Sequence, residues 1–360
     1  MKVDVKMLRA YAVARTLFAP TGLAEAIHEL GFVQIDPIRA PARAQDLVLR
    51  HRVMDYRVGD LERQFASLPL AEDFVHVYGV MPRTMLPLLH PRTREGTWRV
   101  EHEHPALSKA ILAHVERAGP THPRDLARAL GSARIVNAWG GSSAATTRML
   151  EALHYRGDLR VVRRDKGIKI YDRALPARTP LSPMVRARRL LQLLVRLYAP
   201  LPAVSLRQLA VMLAVESVSE SDRRLAEERL HRSSWLARAV VDEVEYVWPA
   251  DENPRITAPP MVRLLAPFDP LVWDRRRFAH LWGWDYRFEA YMPPPKRRYG
   301  YYALPLLWRD RVVGWANAAV LGGRLTVVPG FAGRPPRGAA FGRAFEREVA
   351  SLAQSLAVTI

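Results

Sequence analysis

LRVVRRDKGIKIYD, residues 159–172, is the stretch whose reading decides the fold. Leu159 to Arg164 and Ile168 to Asp172 read as two short strands, and Asp165-Lys166-Gly167 between them supplies the residues of a tight hairpin turn. Working outward toward the N-terminus, three helical patterns precede the hairpin. Ser142 and Ser143 are placed to cap a helix that turns Met149, Leu150 and Leu153 inward, and Thr121-His122-Pro123 opens an earlier one that stops at Leu130-Gly131. Before that, Pro105 to Ala118 carries Ile111, Leu112 and Val115 at helical spacing. Helix, helix, helix and hairpin is the order of a winged helix-turn-helix.

The order returns on the C-terminal side. Met184 to Ala199 presents Leu190, Leu191, Leu194 and Val195; Ser205 caps Leu206 to Leu213; Ser221 to His231 is a third helix; Ala237 to Val241 and Tyr246 to Pro249 form the wing. Its tip, Asp242-Glu243-Val244-Glu245, would repel phosphate, so this module reads as scaffold, whereas Lys166 and Lys169 leave groove contact open to the module before it. Toward the N-terminus, residues 7–18 and 22–30 read as helices, with Gly31 ending the second. Phe32 to Asp36 is extended, 42–53 and 59–68 are helical, and Phe74 to Tyr78 alternates like a strand, compatible with a first winged-helix module. From Ala266 onward the chain turns aromatic. Tyr286 to Tyr291, Tyr299 to Trp308, Val312 to Leu321 and Arg324 to Val328 are separated by turn residues and predict an antiparallel meander, followed by a helix over 338–356. The expectation is an α+β chain in four parts: winged-helix modules over 1–100, 101–178 and 179–255, then an antiparallel β subdomain over 256–360.

A length of 360 residues exceeds one ordinary core and fits several domains. Lys and Arg total 54 against 36 Asp and Glu, a net charge of +18, and almost all the cations are Arg, which meets phosphate in a planar, bidentate way. Nucleic acid is the partner this balance favours. There is no Cys, which excludes disulfides, thiolate nucleophiles and Cys-ligated metal centres. Glu101-His102-Glu103-His104 lacks the helical i, i+4 spacing of zinc enzymes and reads as a solvated loop, so no metal site is expected. The sequence shows neither an apolar signal core at its start nor a run long enough to span a bilayer, so a cytoplasmic protein without a membrane partner is expected.

Chemistry concentrates at Gln34-Ile35-Asp36. An amide and a carboxylate two residues apart share one side of an extended segment. Pro37 ends it, and Arg39, Arg43 and Arg50 bring positive charge beside the pair, as a site for an anionic ligand would. A structural role is the competing reading: Asp before Pro closes strands and caps helices, and the arginines have Asp46 and Asp55 as candidate partners.

Gln34-Ile35-Asp36 with the following Ala42 to Arg50, ARAQDLVLR, resembles the signature of the AlkZ/YcaQ family of winged-helix DNA glycosylases. Three further blocks keep the family's order: PFDPLVWDRRRF at 267–278, LWGWDYRFEAY at 281–291 and KRRYGYYALP at 296–305. The resemblance implies a concave, C-shaped molecule in which a barrel-like sheet packs on tandem winged helices. It implies a monofunctional, cofactor-free DNA glycosylase of base excision repair, in which Asp36 is general base and electrostatic stabiliser and Gln34 positions the water. The implied substrates are N-alkylated purines, N7-alkylguanine above all, and interstrand crosslinks. The implied partner is double-stranded DNA, bound by a monomer in the bacterial cytoplasm, at the nucleoid. Arg39, Arg43, Arg50 and the basic hairpin Lys296-Arg297-Arg298-Tyr299 are then DNA-contact candidates, and His76 a lesion-contact candidate, near where relatives carry Trp-Ala-His-Glu. The Asp269 corner reads as structure with an internal ion pair. The rival reading is a non-enzymatic winged-helix transcription regulator, because the fold alone does not dictate function; a resistance protein that sequesters a natural product is a third.

Overall fold

The computed structural model describes residues 3–92, 98–131, 133–136, 141–174 and 181–360. The expected module boundary at 178–179 lies outside these. Packing divides the chain into two compact units, residues 1–61, 191–209 and 227–360 in one and 62–190 and 210–226 in the other. Three separate winged-helix bodies are not what packs: the third helix-helix-helix-hairpin series is present in element order, but helices Ala203–Ser217 and Glu220–His231 each divide their residues between the two units.

The second unit contains the hairpin that opened the sequence reading, Leu159–Asp165 paired with Ile168–Arg173. Helices Pro105–Ala118, Pro123–Leu130 and Ala145–Arg156 precede it. Proline opens the first two, where its missing N–H costs nothing, and His122 caps the second by accepting the Arg124 amide at 2.9 Å. Ile111, Val115, Leu126, Met149, Leu150, Leu153, Leu159 and Tyr171 close the core. Three expectations are corrected here. Ser142 and Ser143 do not cap the third helix: Ser142–Ala144 is a strand paired with Arg134–Val136, and the cap position is Ala144. The predicted strand Phe74 to Tyr78 is a hairpin connection, because the alternation continues on either side of it, in Leu70–Phe74 and Tyr78–Pro82. Arg99–Glu103 is helical rather than a loop, with Glu101 buried and ion-paired to Arg156.

In the first unit the helix Val5–Thr16, capped by the Asp4 carboxylate, turns Leu8, Tyr11 and Ala12 into a core of Leu271, Val272, Phe278, Leu281, Trp284, Tyr286 and Tyr299. The helix Leu23–Leu30 ends at Gly31, whose φ of +78° suits glycine, and delivers the chain into the extended residues Val33 and Gln34. The β subdomain is a curled, open antiparallel sheet in the order Val262–Leu264, Leu304–Trp308, Arg311–Leu321, Arg324–Phe331, followed by the helix Ala339–Leu356. Gly322 and Gly323, both at positive φ, make the two-residue turn of its long hairpin. Tyr286 to Tyr291 is not a strand; its aromatic rings pack inward from a loop.

Candidate active site

Gln34 and Asp36 lie on the segment between Gly31 and Pro37, in the first unit. The Trp273 indole Nε1 donates to Gln34 Oε1 at 3.0 Å. That bond decides which way the amide faces: the carbonyl is committed to the protein, and the NH2 group is the donor offered to a ligand. Trp273 is itself fixed, stacked on Tyr198 with ring centroids 5.1 Å apart. It ends the short helix Pro270–Trp273, whose cap, Asp269, accepts the Leu271 amide at 3.0 Å and holds the Arg52 guanidinium at 2.9 and 3.1 Å. Neither Asp269 nor Arg52 exposes any side chain. The expected internal ion pair is therefore present, and through Trp273 it orients Gln34.

Asp36 is 9% exposed. Its amide donates to Gln45 Oε1 at 3.2 Å, and its carboxylate Oδ1 accepts the Ile38 amide at 2.9 Å, a local turn around Pro37. The competing structural reading thus accounts for one carboxylate oxygen; the other accepts no hydrogen bond from the described residues. Burial pushes the Asp36 pKa upward, and the single Ile38 N–H only partly opposes this. A carboxylate with raised basicity and an open oxygen, two residues from an amide with an open NH2, can hold a water and take its proton.

The surrounding cations separate into two groups. Arg39 is exposed and Arg43 half-buried. Arg50 does not serve an external phosphate: it is buried against Glu348, which also accepts the Leu264 amide at 2.9 Å, so this expectation is corrected. Tyr299 is corrected too. It is 5% exposed, with its hydroxyl accepting from Trp284 Nε1 at 2.9 Å inside the aromatic core. Its neighbours do face solvent: Lys296 and Arg298 are exposed, and Arg297 lies 5.1 Å from the ring of the partly exposed Tyr301. Glu289 fixes their loop by accepting the amides of Arg298, Tyr299 and Gly300 at 3.0, 2.7 and 3.2 Å. Burial raises the Glu289 pKa, but these three donors outweigh it and hold the carboxyl below its ordinary value.

His76 belongs to the second unit, at the Leu70–Pro82 hairpin connection, where burial holds its ring neutral with a pKa of about 3. That unit also encloses a cavity of about 830 Å³ lined by Leu70, Glu72, Asp73, His90 and His154. Three of its arginines are already committed, Arg83 to the Leu68 and Leu70 carbonyls, Arg156 to Glu101 and Arg160 to Asp172. Among the described residues no cluster of His, Asp and Glu has the make-up of a metal site, and no helix is long and apolar enough to cross a membrane. Sequence reasoning missed Trp273, Gln45 and Tyr302 as site neighbours; the first two lie inside the quoted family-like blocks, which was the available signal.

The fold is that of a solved glycosylase: DNA glycosylase AlkZ of Streptomyces sahachiroi aligns with a TM-score of 0.65 over 100% of this chain and 98% of its own, at 15% identity. A family model described as DNA glycosylase AlkZ-like matches residues 27–355, a span that begins within the helix leading into Gln34 and Asp36 and ends within the last helix. The chain belongs to the AlkZ-like family of DNA glycosylases.

Proposed function

We propose that this glycosylase hydrolyses the N-glycosidic bond of N-alkylated purines, N7-alkylguanine first and crosslinked purines with it, through Gln34 and Asp36. The observation that carries the reading is the half-commitment of both side chains: one polar end of each is bound to protein, and the other is left for a ligand. Alkylation at N7 already places positive charge on the base, so it leaves as a neutral molecule without a strong general acid. The C1′–N9 bond breaks with its electron pair going to the base, and positive charge develops on the sugar. Asp36 stabilises that charge and takes a proton from the water, whose oxygen bonds to C1′. The Gln34 NH2 donates to the water oxygen and holds it in line. No lysine nucleophile enters, so the product is an abasic site. Arg39, Lys296 and Arg298 supply phosphate contacts around the lesion, with Tyr301 adding an aromatic face.

The test is release of free base from a duplex carrying one N7-methylguanine. Asp36→Asn should lose about 10² to 10⁴ in rate, the usual contribution of positioned proton transfer, while duplex affinity persists. Gln34→Ala should lose less. No release from this duplex or from a crosslinked one, together with selective binding to one DNA sequence, would hand the assignment to the regulator reading.

A further inference from the structure

Tyr302 is 4% exposed, and its hydroxyl oxygen is buried without a hydrogen-bond partner. A buried hydroxyl left unbonded is costly, and native structures rarely keep one without a role. This one is held in place from both sides. Glu289 locks the backbone amides of residues 298–300, and the Tyr286 hydroxyl donates to the carbonyl of Ala303 at 2.7 Å. The ring stands edge-on to Phe288 at 5.4 Å, and Phe288 packs on Phe268 at 5.1 Å. The hydroxyl therefore cannot swing away to find a partner elsewhere.

The titratable groups around it are Asp36, Tyr286, Tyr291 and Tyr301. Asp36 acts on it most strongly after burial, and both effects push the phenol pKa upward, so the hydroxyl keeps its proton and stays a donor. Asp36 has the complementary deficit: Ile38 occupies one carboxylate oxygen, and the second takes nothing from the protein. No direct bond joins the two groups, which leaves a separation that one water molecule bridges. We infer that Tyr302 is a positioning residue for Asp36, its hydroxyl donating through a bridging water to the carboxylate oxygen that Ile38 leaves open. That oxygen has two lone pairs, one for the bridge and one for the proton of the attacking water. The inference rests on the assignment of Asp36 as general base.

The experiment compares wild type, Tyr302→Phe and Asp36→Asn. Phe keeps the ring and its contact with Phe288, so melting should be close to wild type. The Asp36 carboxyl is followed by ¹³C NMR titration, with Asp36→Asn identifying its signal. Loss of a donor to the charged form disfavours that form. Tyr302→Phe should therefore move the Asp36 midpoint to higher pH and move the acid limb of kcat/KM with it. Above both midpoints kcat should fall about tenfold, the loss expected for one hydrogen bond, at unchanged affinity for N7-methylguanine duplex. An Asp36 midpoint that stays put, or moves to lower pH, overturns the inference. Absence of base release by the wild type overturns the glycosidic reading instead, and the titration still decides whether Tyr302 and Asp36 are coupled.

Discussion

At Asp36 function and stability pull in opposite directions. Burial raises its folded-state pKa above the unfolded value, so the folded protein binds this proton more tightly than the unfolded chain does. The stabilising proton is fully present below the unfolded pKa and is lost as pH rises through the folded one. At neutral pH the ionised carboxylate therefore costs stability. Asp36→Asn, which keeps an oxygen for the Ile38 amide, should melt higher than wild type at pH 7, and the gain should shrink to nothing below about pH 4, near the reference aspartate value; calorimetric scans across that range check it. The same shift places the acid limb of kcat/KM above the ordinary carboxylate pKa. Arg52 and Asp269 show the opposite case of a buried charge fully matched. Asp269→Ala would strand a guanidinium in the core, remove the cap under Trp273, and cost about 3–5 kcal/mol in urea unfolding. Activity should suffer beyond the stability loss, because Gln34 would lose its orienting indole.

Among the elements, the loop from Glu289 to Ala303 is built to be rigid where it meets solvent. Gly300 has φ of +123°, and a Cβ there would sit 2.3 Å from Asn317 Oδ1, the side chain whose Nδ2 donates to the Tyr299 carbonyl at 2.9 Å. Gly300→Ala should cost about 1–3 kcal/mol of strain in denaturant titration, and should weaken duplex binding by displacing Lys296 and Arg298. The hairpin between Leu236–Val241 and Val244–Pro249 makes a useful contrast. Its turn residues Asp242 and Glu243 both have positive φ, the geometry that favours Asn-Gly, so the acidic pair is held there at some cost. Replacing the two with Asn and Gly should stabilise by about 0.5–1 kcal/mol and leave base release unchanged, since an acidic tip is no phosphate contact.

For the molecule as a whole, a net charge of +18 makes duplex affinity a property of salt as much as of contacts. Roughly six phosphate contacts would lower affinity by about 10³ between 50 and 200 mM salt. Replacing Lys296 and Arg298 together should reduce the slope of log Kd against log salt by about two without altering kcat at saturation. Arg50→Ala should leave that slope alone and lower stability, because its charge is spent on Glu348.

The element order was legible because periodicity and turn chemistry are local. Pro105–Ala118 has the bounds its spacing predicted, and the Asp165-Lys166-Gly167 turn lies where its residues demanded. Gln34 and Asp36 were legible as a pair because two residues of extended chain put them on one side. Misreadings came where a residue type has two local uses. Ser142 and Ser143 suit a strand as well as a cap, and Tyr286 to Tyr291 alternates without pairing because its rings are needed in an aromatic core. What the sequence by itself determined was the succession of helices and hairpins, the absence of thiol chemistry, the basic charge and the amide–carboxylate pair. Only the tertiary structure decided that Arg50 and Tyr299 are interior, that an indole 239 residues away turns the Gln34 amide, and that the Tyr302 hydroxyl is left to answer Asp36. Those facts depend on which distant segments exclude water from a given side chain, and no local pattern encodes that.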